Sequence, residues 1–134
     1  MLFDTHCHVN DEAYHTDRDE MLTRAFAAGV DYLLCPGTNL ETSASAVAMA
    51  HKYKQIYAAV GYHPEEAVSA TPEGFEQLRN WLVNDPKVVA IGEVGLDYYW
   101  PEPARELQQE VFIEQVKMAV ALDVPLDIHD REAH

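Results

Sequence analysis

Four short polar clusters in this chain are built from side chains that bind cations or move protons. The first is Asp4-Thr5-His6-Cys7-His8. In an extended strand, residues two apart share a face, so His6 and His8 point together and Cys7 points away. Two imidazoles held on one face supply half of a Zn²⁺, Mn²⁺ or Fe²⁺ site. Asp4 has the same parity and is placed to orient one of the rings from behind. The plainer alternative is two unrelated polar residues near a strand end.

The second cluster is Gly92-Glu93-Val94-Gly95-Leu96-Asp97. A glutamate following an apolar run faces the mouth of a sheet, where its carboxylate can bridge two cations. The glycines let the backbone turn beside a ligand, and Asp97 can orient a neighbour. A glycine-rich turn with solvated acids is the competing reading.

The third cluster, Asp127-Ile128-His129-Asp130-Arg131, offers His129 as ligand to a second cation. Arg131 either meets a substrate anion or pairs with Asp130 or Glu132. The fourth, Gly61-Tyr62-His63-Pro64, displays His63 on a tight turn, suited to proton transfer or to a phosphate oxygen. A partly buried turn histidine would look the same. His15, His51 and His134 lack such settings and read as surface residues.

These clusters need a scaffold, and the chain alternates strand-like and helix-like segments throughout. The sequence predicts strands over 2–7, 32–35, 56–60, 88–91 and 126–128, each short, apolar and bounded by Gly, Pro, Asp or Asn. Between them, Met21, Leu22, Ala25 and Phe26 follow one helical stripe, as do Phe75, Leu78 and Leu82. A longer helical segment over 103–122 carries Leu107, Val111, Ile113, Val116 and Val120 as a broad buried face. Thr16 or Asp17, the pair Thr42-Ser43, and Thr71-Pro72 are the expected helix starts. Repeated β-α-β units imply a parallel sheet with right-handed crossovers. Four such units and a fifth strand would complete an open doubly wound sheet, or just over half of a (β/α)8 barrel of about 250 residues. In either, active sites lie at the C-terminal ends of the strands, where all four clusters fall.

Composition narrows the partners. With nine Lys and Arg against 23 Asp and Glu, the net charge is −14. No clustered basic surface is available to hold nucleic acid, so a phosphate-bearing substrate must be held locally, by cations and a few side chains. No apolar stretch approaches the ~20 residues of a membrane span, and the start, MLFDTHCH, shows no signal peptide. Cytoplasm is the expected compartment, with Cys7 and Cys35 reduced.

Taken together and in this order, DTHCH, GYHP, IGEVGLDYY and IHDREA resemble the TatD family of metal-dependent deoxyribonucleases, from Met1 to the last residue. The resemblance implies an α/β fold of the (β/α)8 TIM-barrel type, with residues 1–134 forming about its first half as the N-terminal part of one metallohydrolase domain. It implies two divalent ions (Mg, Mn, Zn or Fe) and hydrolysis of DNA phosphodiester bonds, at single strands or ends, by a metal-activated water. His6 and His8 would bind one ion, Glu93 would bridge both, and His129 would bind the second. His63 would lie near the substrate phosphate, with Glu93 and His63 as the catalytic pair.

Family members run to about twice this length and add a histidine and an aspartate from later strands. The chain is therefore expected to be a truncated gene product, an engineered fragment or one piece of a longer protein, prone to self-association. Two alternatives remain open: an amidohydrolase-type enzyme acting on C–N or ester bonds, and an inactive half-barrel lacking its last ligands.

Overall fold

Four helices each carry the backbone back to the start of the next strand, which is what parallel neighbours require. The computed structural model describes residues 1–134. Its strands are β1 (Phe3–Asp4), β2 (Tyr32–Pro36), β3 (Ile56–Val60), β4 (Val88–Asp97) and β5 (Leu126–Arg131). The helices between them are α1 (Arg18–Ala27), α2 (Leu40–Lys52), α3 (Pro72–Asn84) and α4 (Arg105–Leu122). Strand order in the sheet is the chain order, and every pairing is parallel. An open doubly wound sheet would reverse direction at a switch point. Here the order never reverses, so the chain is about half of a (β/α)8 barrel. The outer edges of β1 and β5 are unpaired.

Strand alternation sends the two faces to different neighbours. Leu33, Cys35, Ile56, Ala58, Val60, Ile91 and Val94 join one core cluster with helix residues such as Leu78, Val111 and Met118. Leu34, Ala59 and Ala90 form a second, smaller cluster with Tyr57 and Val89. Burial on both faces explains why these strands read as unbroken apolar runs rather than alternating ones. No helix is long and apolar enough to cross a membrane.

The strand ends differ from the sequence expectation in ways that matter for the site. β1 stops at Asp4, although the Cys7 N–H still reaches the Leu34 carbonyl at 3.0 Å. His6 and His8 therefore lie on the segment just beyond the ladder. β4 and β5 run further than expected, to Asp97 and Arg131, so Glu93 and His129 lie inside strands. The register between them shifts between Ile91 and Val94.

One helix start also differs from the expectation. α2 begins at Leu40 because Asn39 accepts from the Thr42 N–H at 2.9 Å, which puts Thr42 inside the first turn as half of a capping box. α3 starts as expected, with Thr71 accepting from the Gly74 N–H at 3.0 Å and Pro72 in the first turn. Asp17 stands at the start of α1 without a capping bond from its side chain.

The expected single buried face of α4 is two faces. Gln108, Val111, Gln115, Met118 and Ala119 are buried, whereas Ile113 and Val120 are exposed. Ile113, Val116 and Val120 follow their own helical spacing and, with Phe112 and Ala121, line a shallow apolar groove on the outside.

Candidate metal centre

At the C-terminal end of the sheet the side chains converge on Glu93. The Nε2 atoms of His6 and His8 lie 3.1 Å apart, with the rings nearly perpendicular at 83°. Glu93 Oε2 sits 3.1 Å from His8 Nε2 and 3.5 Å from His6 Nε2. The other carboxylate oxygen, Oε1, lies 2.9 Å from His129 Nδ1 and 3.7 Å from His63 Nε2. Two groups of nitrogen and oxygen donors, each with its ligand atoms within 4.8 Å of one another, thus share one glutamate. Each group uses a different oxygen. This donor set, imidazole plus a carboxylate open on both sides, suits borderline divalent cations.

Carboxylates behind the rings fix their direction. Asp127 lies 2.9 Å from His6 Nδ1, which leaves His6 Nε2 facing Glu93. The buried Asp97 lies 2.9 Å from His129 Nε2, which turns Nδ1 toward Glu93. Such carboxylate–imidazole pairs hold the ring and raise its basicity as a ligand. His63 differs. Its Nδ1 accepts the Glu65 N–H at 3.1 Å, so in the neutral ring the proton sits on Nε2, facing the centre. That makes His63 a donor toward an oxygen rather than a lone-pair ligand.

Electrostatics follow the same layout. Burial opposes ionisation of Glu93, but the bond to His8 and the nearby His63, His6 and His129 outweigh it and hold its pKa at about 2. The bond to Glu93 raises the His8 pKa against the effect of burial. Burial lowers the His63 pKa, only partly offset by Glu93, which favours its neutral form. Cys35 is buried and pushed up to about 11, so it offers no thiolate.

Two glycines let β5 come close. A Cβ at Gly92 would sit 2.5 Å from the Asp127 Cβ. At Gly95, where φ is +140°, a Cβ would overlap the His129 carbonyl oxygen. Two buried glutamines of α4 brace the same region. Gln115 accepts from the Tyr62 N–H at 2.7 Å and donates to the Tyr62 carbonyl at 3.0 Å, next to His63. Gln108 does the same for Asp97, at 2.8 and 2.9 Å.

Of the residues singled out in the sequence, His6, His8, His63, Glu93, Asp97 and His129 come together. Asp4 does not orient a ring: its carboxylate accepts the backbone N–H of His6 at 3.1 Å, and Asp127 reaches the imidazole instead. β1 ends before the histidines, so shared parity with Asp4 no longer fixes their direction. Arg131 pairs with neither Asp130 nor Glu132; its guanidinium lies over the Tyr99 ring, 3.9 Å from the centroid. Asp127, Gln108 and Gln115 were missed. Asp127 shares strand parity with His129, and the glutamines sit seven apart among buried apolar positions, so both signals were present in the sequence. Beside His8 opens a polar cleft of about 520 Å³, lined by residues including Asn10, Thr38, Glu41, Thr42 and Ser45.

The model of the family described as TatD related DNase matches residues 3–134. The chain belongs to the TatD-related DNase family. Among its relatives is the Bacillus subtilis protein named uncharacterized metal-dependent hydrolase YabD, 41% identical over 133 residues. Another is the Cronobacter turicensis 3'-5' ssDNA/RNA exonuclease TatD, also 41% identical over 133 residues. Each alignment covers 99% of this chain, and 52% and 50% of the relatives respectively. The crystal structure of YjjV, a TatD homologue from Escherichia coli, superposes with a TM-score of 0.91 at 38% identity, covering 99% of this chain and 52% of that one. The chain thus spans about half the length of the relatives it matches.

Proposed function

We propose that this chain carries the greater part of a two-metal site that hydrolyses phosphodiester bonds in DNA. The observation that carries this reading is the division of Glu93, with one oxygen toward His6 and His8 and the other toward His129. His6, His8 and Glu93 would hold one divalent ion, and Glu93 with His129 the second. Bound there, a pair of ions such as Mg²⁺, Mn²⁺, Zn²⁺ or Fe²⁺ would supply Lewis acidity at a phosphoryl oxygen and acidify water.

The protein's own groups supply the rest. Glu93 and His63 are the catalytic pair. His63, neutral and protonated at Nε2, donates toward a phosphate oxygen, while Asp127 and Asp97 keep His6 and His129 aimed. Substrate comes in single strands or at ends, a reading supported by the exonuclease name of the Cronobacter relative.

A second reading, hydrolysis of C–N or ester bonds, draws on the same neutral His63, which can donate to a carbonyl oxygen as well as to a phosphate oxygen. The third, a half-barrel that associates but turns nothing over, draws on the unpaired edges of β1 and β5 and the exposed apolar face of α4.

One preparation separates them. Release of nucleotides from a single-stranded oligodeoxynucleotide with Mn²⁺ or Mg²⁺, compared with amide and lactone hydrolysis, is expected to favour the oligonucleotide. Amide or lactone turnover without nucleotide release would move the proposal to the second reading. Inertness of this chain beside a longer form that works would establish the third.

A further inference from the structure

Beyond Asp97 the chain runs Tyr98-Tyr99-Trp100, and the last two residues are about half exposed beside the centre. Their rings meet edge to face at 4.7 Å and 89°. The Arg131 guanidinium, at the end of β5, lies 3.9 Å from the Tyr99 centroid and 5.8 Å from that of Trp100. Two hydrogen bonds tie this group to the site. The Tyr99 N–H donates to Asp97 Oδ1 at 3.1 Å, on the carboxylate whose other oxygen faces His129. The Tyr98 N–H donates to the Arg131 carbonyl at 2.9 Å. On its other side Trp100 lines an open hollow of about 380 Å³ with Glu65, Pro101 and Glu102. The Glu65 N–H is the group bonded to His63. The aromatic pair thus spans the rim from the His63 turn to the end of β5.

Flat π faces beside a planar cation take a heteroaromatic ring by stacking. Glu65 and Glu102 line the hollow beside Trp100 and disfavour a phosphate there, so on that side a base fits against the indole better than the backbone does. The chain's charge of −14 also leaves little affinity to come from phosphate neutralisation. Stacking needs no net charge.

We infer that Tyr99, Trp100 and Arg131 form a stacking subsite for a nucleobase next to the phosphodiester held at Glu93. This rests on the nuclease reading above. A duplex hides the faces of its bases, so the subsite selects single strands and tolerates any base.

The test uses the whole 134-residue chain with Ca²⁺ in place of Mg²⁺, to bind without rapid turnover. Fluorescence anisotropy compares labelled oligothymidylate with an abasic deoxyribose-phosphate strand of equal length. The wild type should bind oligothymidylate about tenfold more tightly. Trp100→Ala should abolish that preference without weakening abasic binding, and Trp100→Tyr should restore most of it. Circular dichroism checks that each variant is folded. Equal binding of both strands by the wild type, or a preference kept by Trp100→Ala, overturns the subsite and leaves the nuclease reading standing. Binding of neither strand, with no nucleotide released in Mn²⁺, overturns that reading and the subsite with it.

Discussion

Asp127 reaches His6 Nδ1 at 2.9 Å, joining the last strand to the first cluster across 121 positions of sequence. The contact crosses the inside of the curved sheet at the end where the metal donors gather. It turns His6 Nε2 toward Glu93 without itself entering the donor group. Asp127→Asn keeps the shape and removes the charge. Divalent-ion affinity is expected to fall about 10- to 100-fold, with thermal stability nearly unchanged. Calorimetric titration with Mn²⁺ checks this, and unchanged affinity would show that Asp127 does not support the ligand.

Gln115 closes both backbone hydrogen bonds of Tyr62 from a fully buried position. Leucine there would strand an N–H and a carbonyl, each worth about 1–3 kcal/mol when buried and unpaired. Gln115→Leu should therefore cost about 3 kcal/mol by urea denaturation. It should also loosen His63, seen as changed chemical shifts of that imidazole. A cost below about 0.5 kcal/mol, typical of an ordinary surface substitution, would mean the turn holds itself.

An acid-sensitive contact lies away from the centre. His51 Nε2 sits 2.7 Å from Asp85 Oδ2, linking the end of α2 to the residue after α3. Burial alone would raise the Asp85 pKa, but the His51 ring and the Lys87 N–H outweigh it and bring it below the ordinary 3.8. A depressed carboxylate stabilises the fold above its unfolded value and loses that contribution as pH falls through its folded value. Asp85→Asn should thus be less stable than wild type at pH 6, with the gap closing as pH falls below 4. A gap that stays constant to pH 3 would contradict this.

Much of this was legible in the sequence because strand alternation and helix periodicity are local. The β-α-β rhythm and the clustering of His6, His8, Glu93 and His129 at one end follow from positions along the chain alone. What sequence reasoning lost was set by long-range pairing. β4 extends through Glu93 because β5 pairs with it, from Ile91 to Asp97. Asp127 rather than Asp4 meets His6 because curvature brings β5 across the mouth. Ile113 and Val120 looked like core, since apolar spacing gives a face its character but does not say whether anything packs against it.

Glu93 turns one carboxylate oxygen to His8 and the other to His129, and so serves both histidine groups at once. Manganese binding followed by EPR tests this sharing most directly, comparing wild type with Glu93→Gln and His8→Ala. Glu93→Gln should lose ions from both groups, whereas His8→Ala should lose the ion near His6 and keep the one near His129. If Glu93→Gln binds as many ions as the wild type with similar affinity, the shared-glutamate account is wrong.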